Sequence, residues 1–311
     1  MVSSPTCVSS PADALWSSWL KILERSGQAP NPLLAVCDRV RDALGAPGAA
    51  LEDEWRPLGV SVIPRRMASA GACSTFGGRR AIYVRATDHR RRQRFTVAHE
   101  LAHLLWDFSP GLDGVRPHGQ TLENLCDEFA HELLAPRRRI EKLAADGEVT
   151  GDVGDILNVA GSFGVSLAVA IVALRPLMSA GSRVLLCAEY RGHSRRPEVL
   201  GYRVRGVAAP DGVFLPVETR LTSLGMVQLA AQARLAPHRA RFSGIDTDVQ
   251  LWEGRQDRSP KWQPHKADVA WDAYVLDKRH TRLLVALEVQ LDDPDGSRFA
   301  PRGPSHETRT Q

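Results

Sequence analysis

The stretch Phe95-Thr-Val-Ala-His99-Glu100-Leu-Ala-His103-Leu-Leu105 contains two histidines four residues apart, with a glutamate directly after the first. Residues four apart on a helix lie on one face, with Cβ atoms about 5–6 Å apart, so His99 and His103 can bind one metal ion together. Glu100 projects from a neighbouring strip of the helix and can reach a water bound to that metal. Two imidazoles with a carboxylate base are the arrangement of zinc peptidases. The spacing of His99, Glu100 and His103 on an otherwise apolar helix therefore predicts a zinc site.

Length and composition indicate a globular protein with room for two domains. The chain has 311 residues, of which 43% are hydrophobic and 24% charged, and its formal net charge is +4. Most cations are arginines in short runs, such as residues 90–92 and 137–139. Because no long basic block or interleaved aromatic residues accompany these runs, we expect solvated faces rather than direct nucleic-acid binding.

The cysteines and the apolar segments favour a cytoplasmic protein. Five cysteines are scattered without a Cys-x-x-Cys pair, which argues against a disulfide framework and fits a reducing compartment. The first residues lack a basic start followed by an apolar stretch, so we expect no secretory signal. The longest apolar run, residues 165–174, is too short to span a bilayer. We therefore expect a cytoplasmic location and no membrane partner.

Apolar spacing and turn residues predict a mixed α and β organisation up to about residue 178. After a Ser- and Pro-rich start, a short helical pattern runs through Trp16 and Leu23. Strands are predicted at residues 59–63 and 81–85, with a Gly-containing stretch at 70–78 between them. Helices are predicted at residues 33–44, from the basic segment 88–94 through the histidine motif, and at 122–134, 137–146, 152–163 and 166–174, the last with Ser166 as N-cap.

After Pro176 the pattern changes to short, strand-like segments. These segments predict a separate α+β domain over residues 181–291, followed by a disordered tail over residues 292–311. One helix is expected near residues 224–235. The expected strands are residues 183–190, 199–206, 213–218, 248–252, 268–276 and 282–291.

A catalytic zinc needs a third protein ligand and one open position for water. The predicted helix at 122–134 offers Glu123 and Asp127, which are four apart and lie on one face. We assign Glu123 as the third ligand and Asp127 as an acceptor for the far ring nitrogen of a ligating histidine. A first-turn glutamate is also favoured by the helix dipole alone, so this spacing leaves a solvated Glu123 open. The competing carboxylates are Asp107, Asp113 and Glu128.

Three segments resemble the ImmA/IrrE metallopeptidases. Residues 94–105, Arg-Phe-Thr-Val-Ala-His-Glu-Leu-Ala-His-Leu-Leu, are similar to the family's Arg-Phe-Thr-x-Ala-His-Glu-x-x-His helix. Residues 123–136, Glu-Asn-Leu-Cys-Asp-Glu-Phe-Ala-His-Glu-Leu-Leu-Ala-Pro, are similar to its Glu-x-x-Ala-Asn-x-Phe-Ala-x-x-Leu-Leu-x-Pro segment. Phe163-Gly-Val-Ser166 is similar to the Phe-x-Val-Ser segment that closes the family's catalytic domain. The resemblance covers roughly residues 33–178.

This resemblance implies an α+β, zincin-like catalytic domain, built from a small sheet, an active-site helix and a helical bundle. It implies that Zn²⁺ is bound by His99, His103 and Glu123, and that Glu100 is the catalytic base. Family members typically cleave a helix-turn-helix repressor and so turn on stress-response or mobile-element genes. We expect the same type of protein partner here. The catalytic domain would span residues 33–178, after a variable N-terminal segment at residues 1–32.

The sequence departs from the family pattern at three places. Ala102 stands where a glycine is frequent, which a helix tolerates well. Cys126 and Asp127 replace Ala-Asn, which changes the charge behind the ligands without removing one. The domain after residue 180 carries no matching motif, and only its position resembles the sensor-like or regulatory C-terminal domain of some members.

Several details of the mechanism stay open at this stage. The strand at 81–85 precedes the active-site helix and either pairs with an extended substrate or is an ordinary member of the core sheet. Tyr83, His118 and His131 are candidates for stabilising the tetrahedral oxyanion. Cys73 lies upstream of the helix and either caps the zinc in a latent form or has no role in the site.

Two other functions remain as alternatives to a peptidase. The first is a non-catalytic regulator that contains zinc and binds a repressor or DNA. The presence of Glu100 argues against it, because a structural zinc site has no use for an additional glutamate. The second is a ligand-sensing module in the C-terminal domain, where Trp252, Trp262 and Trp271 cluster in the sequence, although core packing explains tryptophans more simply.

Overall fold

The computed structural model describes two parts of the chain. The first part consists of residues 11–26, 29–44, 51–76, 78–108 and 119–178, and the second consists of strands between residues 183 and 289. The predicted helix near 224–235 and the predicted tail at 292–311 lie outside the described residues. The sequence predicted four segments along the chain, residues 1–32, 33–178, 181–291 and 292–311. The bounds of these segments remain a prediction.

Eight helices and a small sheet are described in the first part. The helices are α1 (Pro11–Arg25), α2 (Cys37–Leu44), α3 (Leu51–Trp55), α4 (Arg90–Asp107), α5 (Gln120–Leu134), α6 (Arg137–Ala145), α7 (Val153–Ser162) and α8 (Leu167–Ala173). The strands are β1 (Val60–Arg65), β2 (Gly71–Phe76) and β3 (Arg79–Arg85). Short 3-10 turns at Pro32–Val36, Arg56–Leu58 and Arg175–Met178 complete this part. The helices predicted between residues 88 and 174 are found, and the helix predicted at 33–44 is a 3-10 turn followed by α2. With the small mixed sheet, they are compatible with the expected α+β class.

The ends of these helices follow from local chemistry. The Ser166 hydroxyl accepts a hydrogen bond from the Val169 amide at 3.3 Å and begins α8, as predicted. The His89 side chain accepts a bond from the Arg91 amide and begins α4 in the same way. Helix α5 ends at Leu134, two residues before Pro136, because a proline cannot continue the hydrogen-bond pattern of a helix.

The sheet has the order β1-β3-β2, so β3 is its middle strand. Strand β1 pairs with β3 in parallel, and β2 pairs with β3 antiparallel. Residues 81–85 were expected either to pair with a substrate or to belong to the core sheet. Because β1 and β2 occupy both edges of β3, these residues belong to the core sheet, and the prediction of substrate pairing at this strand is wrong. The Gly-containing stretch at 70–78, predicted without regular structure, is the edge strand β2.

A single apolar core joins the helices and the sheet. Helix α4 lies inside this core, with Leu101 and Leu105 fully buried. Helix α1 is part of the core as well, because Trp16 and Trp19 are buried and the Trp16 indole donates a hydrogen bond to the Leu58 carbonyl at 2.8 Å. Residues 11–25 thus pack on the predicted catalytic domain, although they fall within the expected variable segment.

The second part is a seven-stranded antiparallel sheet. Its strand order is β6-β8-β9-β10-β4-β5-β7. The strand predicted at 183–190 is found with the same bounds, the other predicted strands are found with shifted ends, and β7 was not predicted. Their bounds are β4 (Arg183–Tyr190), β5 (Tyr202–Ala208), β6 (Val213–Phe214), β7 (Arg220–Leu221), β8 (Arg241–Glu253), β9 (Gln263–Val275) and β10 (Arg282–Val289). Trp252 and Trp271 lie on β8 and β9, and Trp262 lies outside the described residues.

Among the described helices, no single one is both long and apolar enough to cross a membrane. One strongly bent pair, Val153–Ser162 with Leu167–Leu177 at 110°, passes that test by length and composition only.

A buried ion pair connects the active-site helix to two distant segments. The Arg94 guanidinium on α4 contacts the Glu54 carboxylate on α3 at 2.7–3.1 Å, and the two side chains are only 9% and 3% exposed. Arg94 also donates to the carbonyl oxygens of Phe163 and Gly164 at 3.0 and 2.7 Å. Gly164 has φ +61°, and a Cβ there would lie 2.8 Å from an Arg94 nitrogen, so glycine is required at this turn.

We predict that Arg94→Ala lowers the free energy of unfolding by about 3 kcal/mol, because it leaves Glu54 buried without its main partner. Urea unfolding followed by circular dichroism measures this change. The matched control is Arg137→Ala, which removes an exposed ion pair with Glu141 and should cost less than about 1 kcal/mol. Equal losses in the two variants would contradict a special role for Arg94.

Candidate metal centre and active site

Helix α4 brings the two histidines of the motif together. His99 and His103 are half-buried, and their ring centroids lie 4.9 Å apart. Their Nε2 atoms face each other at 3.1 Å. The four-residue spacing on a regular helix produces this arrangement, as the sequence predicted.

Helix α5 packs along α4 and adds a carboxylate from its first turn. The two Glu123 oxygens lie 3.1 Å from His99 Nε2 and 3.5 Å from His103 Nε2. One ligand atom from each of the three residues can be chosen such that all lie within 4.8 Å of one another. The structure thus brings together the three residues that were predicted as ligands, and their role as ligands remains a prediction.

This group of donor atoms fits a single zinc ion. Two donors at 2.0–2.2 Å from a tetrahedral zinc lie about 3.3–3.5 Å apart, close to the observed separations of 3.1–3.5 Å. The chemistry of the donors agrees with the geometry. Two imidazole nitrogens and a carboxylate are donor types that zinc binds in proteins.

Asp127 forms a hydrogen bond with the His99 ring nitrogen that points away from Glu123 and His103. Its Oδ1 lies 2.7 Å from His99 Nδ1, so the ring donates from Nδ1 and keeps the Nε2 lone pair for the metal side. Burial lowers the pKa of His99, but the hydrogen bond and charge of Asp127, with the charges of Glu100 and Glu123, outweigh it and raise that pKa. Asp127 lies where the sequence expected it.

Glu100 lies beside the group of ligands without belonging to it. Its half-buried side chain faces strand β2, where it approaches the backbone at Gly71. Burial raises the pKa of Glu100 above its ordinary value, although the charges of His103 and His99 act in the opposite direction. A carboxylate in this position can accept a proton from a molecule at the metal centre.

The other candidates are not part of this group. Glu128 lies on another face of α5 and accepts a hydrogen bond from the Asn31 amide at 2.9 Å. Asp107 is exposed at the end of α4, and Asp113 and His118 lie outside the described residues.

The two remaining candidates for stabilising the oxyanion, Tyr83 and His131, pack against neighbouring side chains. Tyr83 is covered by the Arg65 guanidinium, 4.7 Å from its ring centroid. His131 packs against Phe95 with ring centroids 5.0 Å apart, and burial lowers the pKa of His131. Its buried Nδ1 has no hydrogen-bond partner in the described part of the chain.

Sequence reasoning missed Gly71 as a site residue. The signal that could have identified it is a glycine at the start of a strand, which often marks a close backbone approach. Because the pairing of β2 with the rest of the sheet was not predicted, nothing in the sequence placed Gly71 next to Glu100.

Comparison with known proteins gives one informative match. Residues 57–175 match the family model Peptidase_M78, described as an IrrE N-terminal-like domain. A Mycobacterium tuberculosis transcriptional regulator of known structure is 14% identical, with 88% of this chain and 81% of that chain covered, at a TM-score of 0.42. No curated protein matches the chain.

We predict that His103→Ala reduces bound zinc from about one ion per chain to nearly none, since two donors hold the ion poorly. Asp127→Asn should keep the ion but weaken its affinity about 10-fold, because an amide supports the His99 ring less well than a carboxylate. Mass spectrometry of the metal content and competition with a chelator measure both effects. Glu128→Gln is the control and should bind zinc like the wild type.

Proposed function

Residues 57–175 belong to the Peptidase_M78, IrrE N-terminal-like family, and from this premise we propose that the protein is a zinc-dependent endopeptidase. His99, His103 and Glu123 would bind the ion, and Glu100 would act as general base. Asp127 would orient His99 through its hydrogen bond.

The observation that carries this proposal is the position of Glu100. Three donors are sufficient for a zinc ion that keeps one position open, and Glu100 is an additional carboxylate next to them. A purely structural site is usually closed by four protein ligands and does not require a neighbouring base. The arrangement of three ligands and one adjacent carboxylate supports hydrolysis.

In this mechanism, the residues of the chain bind, orient and move protons. When zinc is bound, it polarises the peptide carbonyl and makes water more acidic. Glu100 takes the proton from the attacking water and delivers it to the leaving amine, so a single carboxylate acts first as base and then as acid. Asp127 keeps His99 in the tautomer that presents Nε2.

We further propose that an extended substrate pairs with β2. This strand is the edge of the sheet next to α4, and among the described strands only β3 pairs with it. The carboxylate of Glu100 lies directly against it at Gly71. Backbone pairing at an exposed edge is a common mode of peptide recognition and would place the chain beside the base.

The proposed substrate is a helix-turn-helix transcriptional repressor, whose cleavage would derepress stress-response or mobile-element genes. The three motifs shared with the ImmA/IrrE metallopeptidases support this choice. A cytoplasmic location is part of the same proposal, supported by the scattered cysteines and by the place where repressors act.

The alternative function is a non-catalytic, zinc-containing regulator that binds a repressor or DNA. Such a regulator would have the same fold and the same metal donors as the peptidase. The difference is that a regulator does not require Glu100. A ligand-sensing role of residues 181–291 is compatible with either function. Substitution of Glu100 therefore discriminates between the peptidase and the regulator.

We predict that Glu100→Gln retains about one zinc per chain but cleaves at least about 100-fold more slowly, because the amide cannot accept the proton. The test incubates zinc-loaded protein with the helix-turn-helix protein encoded next to its gene. A peptide library in parallel covers other substrates. Mass spectrometry of new N-termini measures cleavage.

The controls for this experiment separate loss of metal from loss of the base. His103→Ala should lose both zinc and cleavage, and Glu128→Gln should retain both. If Glu100→Gln cuts as fast as the wild type, Glu100 is not the base. If the zinc-loaded wild type binds the repressor without cutting it or any library peptide, the regulator is the correct function.

A further inference from the structure

The three-stranded sheet has one face against α4 and one open face. A Cβ added at Gly71 would lie 2.7 Å from Glu100 Oε1, so the side of β2 to which Gly71 belongs faces α4. Successive residues of a strand point to opposite faces of the sheet. Ala72, Ser74 and Phe76 therefore point away from α4, and all three are exposed. This open side is the outer face of the sheet.

Phe76 presents a large apolar side chain on the outer face. It is 88% exposed, and no other large apolar residue in the described part of the chain is exposed. Removing a phenylalanine side chain from water is among the larger contributions that one residue can make to binding. Because Phe76 is hardly buried in the fold, its apolar surface is available to a binding partner.

The outer face is also positively charged. Residues opposite each other on neighbouring strands share a face, and Phe76 and Ala72 lie opposite Arg79 and Tyr83 of β3. The Arg79 side chain is exposed. Arg65, at the end of β1, lies over the Tyr83 ring at 4.7 Å. The three strands contain no aspartate or glutamate, so an acidic side chain of a partner would be attracted to this face.

We propose that the outer face at the end of β2 selects the substrate: a large apolar residue covers Phe76, and an acidic residue two positions away reaches Arg79. The proposal rests on the peptidase function and on substrate pairing at β2 as proposed above. A substrate residue opposite Phe76 across the free edge shares the outer face, with Cβ atoms about 4.5–5.5 Å apart. Residues two apart in an extended substrate point to the same side, so the acidic residue also lies on the outer face.

The spacing along β2 relates this contact to the cleaved bond. Gly71, which lies against Glu100, and Phe76 are five residues apart, about 16–17 Å along a strand. Since five is odd, the substrate residue opposite Gly71 points towards α4 when the residue opposite Phe76 points outwards. We therefore expect cleavage about five residues from the apolar residue, on one side of it.

Selection from a random ten-residue peptide library tests the side-chain preference without any cleavage. The bait is the zinc-loaded, full-length Glu100→Gln protein, which should bind a substrate but cut it slowly. The selected peptides should share a large apolar residue with an aspartate or glutamate two positions away. A selection without this pattern would overturn the proposal.

Fluorescence anisotropy with the best selected peptide measures the contribution of each residue in the Glu100→Gln background. Phe76→Ala should weaken binding roughly 10-fold, because the apolar burial is lost, and Phe76→Leu should retain most of the affinity. Arg79→Ala should weaken binding about 3-fold at low salt and have little effect at about 1 M salt. The control Ser61→Ala, on the outer face at the distant β1 strand, should bind like the parent protein. Unchanged binding in Phe76→Ala would contradict the proposal.

The cleavage assay separates this proposal from the proposed function. Phe76→Ala should raise KM about 10-fold with kcat unchanged, because the contact is equally strong before and during the reaction. If the wild type cuts but Phe76→Ala leaves KM unchanged, the protein is a peptidase and the outer face does not select its substrate. If selected peptides bind through Phe76 and are never cut, the outer face binds as proposed and the peptidase function is wrong.

Two other occupants of the outer face are distinct outcomes. The free edge of β2 leads directly to Glu100, which favours a peptide over either of them. Analytical ultracentrifugation would reveal a second copy of the chain as a dimer that Phe76→Ala converts to monomer. A labelled single-stranded oligonucleotide that binds the wild type but not Phe76→Ala would reveal a nucleic-acid surface. Either result would overturn the proposal.

Discussion

The buried guanidinium of Arg94 is the constraint on which the rest of the first part depends. A charge that is removed from water must be paired and fully hydrogen-bonded, and Arg94 satisfies this with the Glu54 carboxylate and two carbonyls at the turn between α7 and α8. The side chain thereby ties α4 to α3 and to the end of the predicted catalytic domain. His99 lies five residues after Arg94 on the same helix, so this network anchors the helix that carries the two histidines.

Three elements meet at the candidate site. Helix α4 carries His99, Glu100 and His103, and α5 adds Glu123 and, behind His99, Asp127. Strand β2 contributes no donor to this group, but its backbone at Gly71 bounds the space around Glu100.

Much of this organisation could be predicted because it rests on short-range periodicity. The four-residue spacing of His99 and His103, and of Glu123 and Asp127, is a property of any helix. The Ser166 cap and the break at Pro136 are equally local. The prediction failed at strand order: the pairing of β3 was left open and β2 was missed, because a glycine-containing strand with one exposed face carries little alternation.

The sequence alone determined the helices, the donor types and their spacing, since local propensity and periodicity are written into consecutive residues. It did not determine which distant residues meet. The approach of Gly71 to Glu100 and the bond from Arg94 to Gly164 join positions 29 and 70 residues apart, and no periodicity links them. Only the packing of helices and sheet around one core decided these contacts, because burial selects among all arrangements the one that leaves no charge unpaired and no space overfilled.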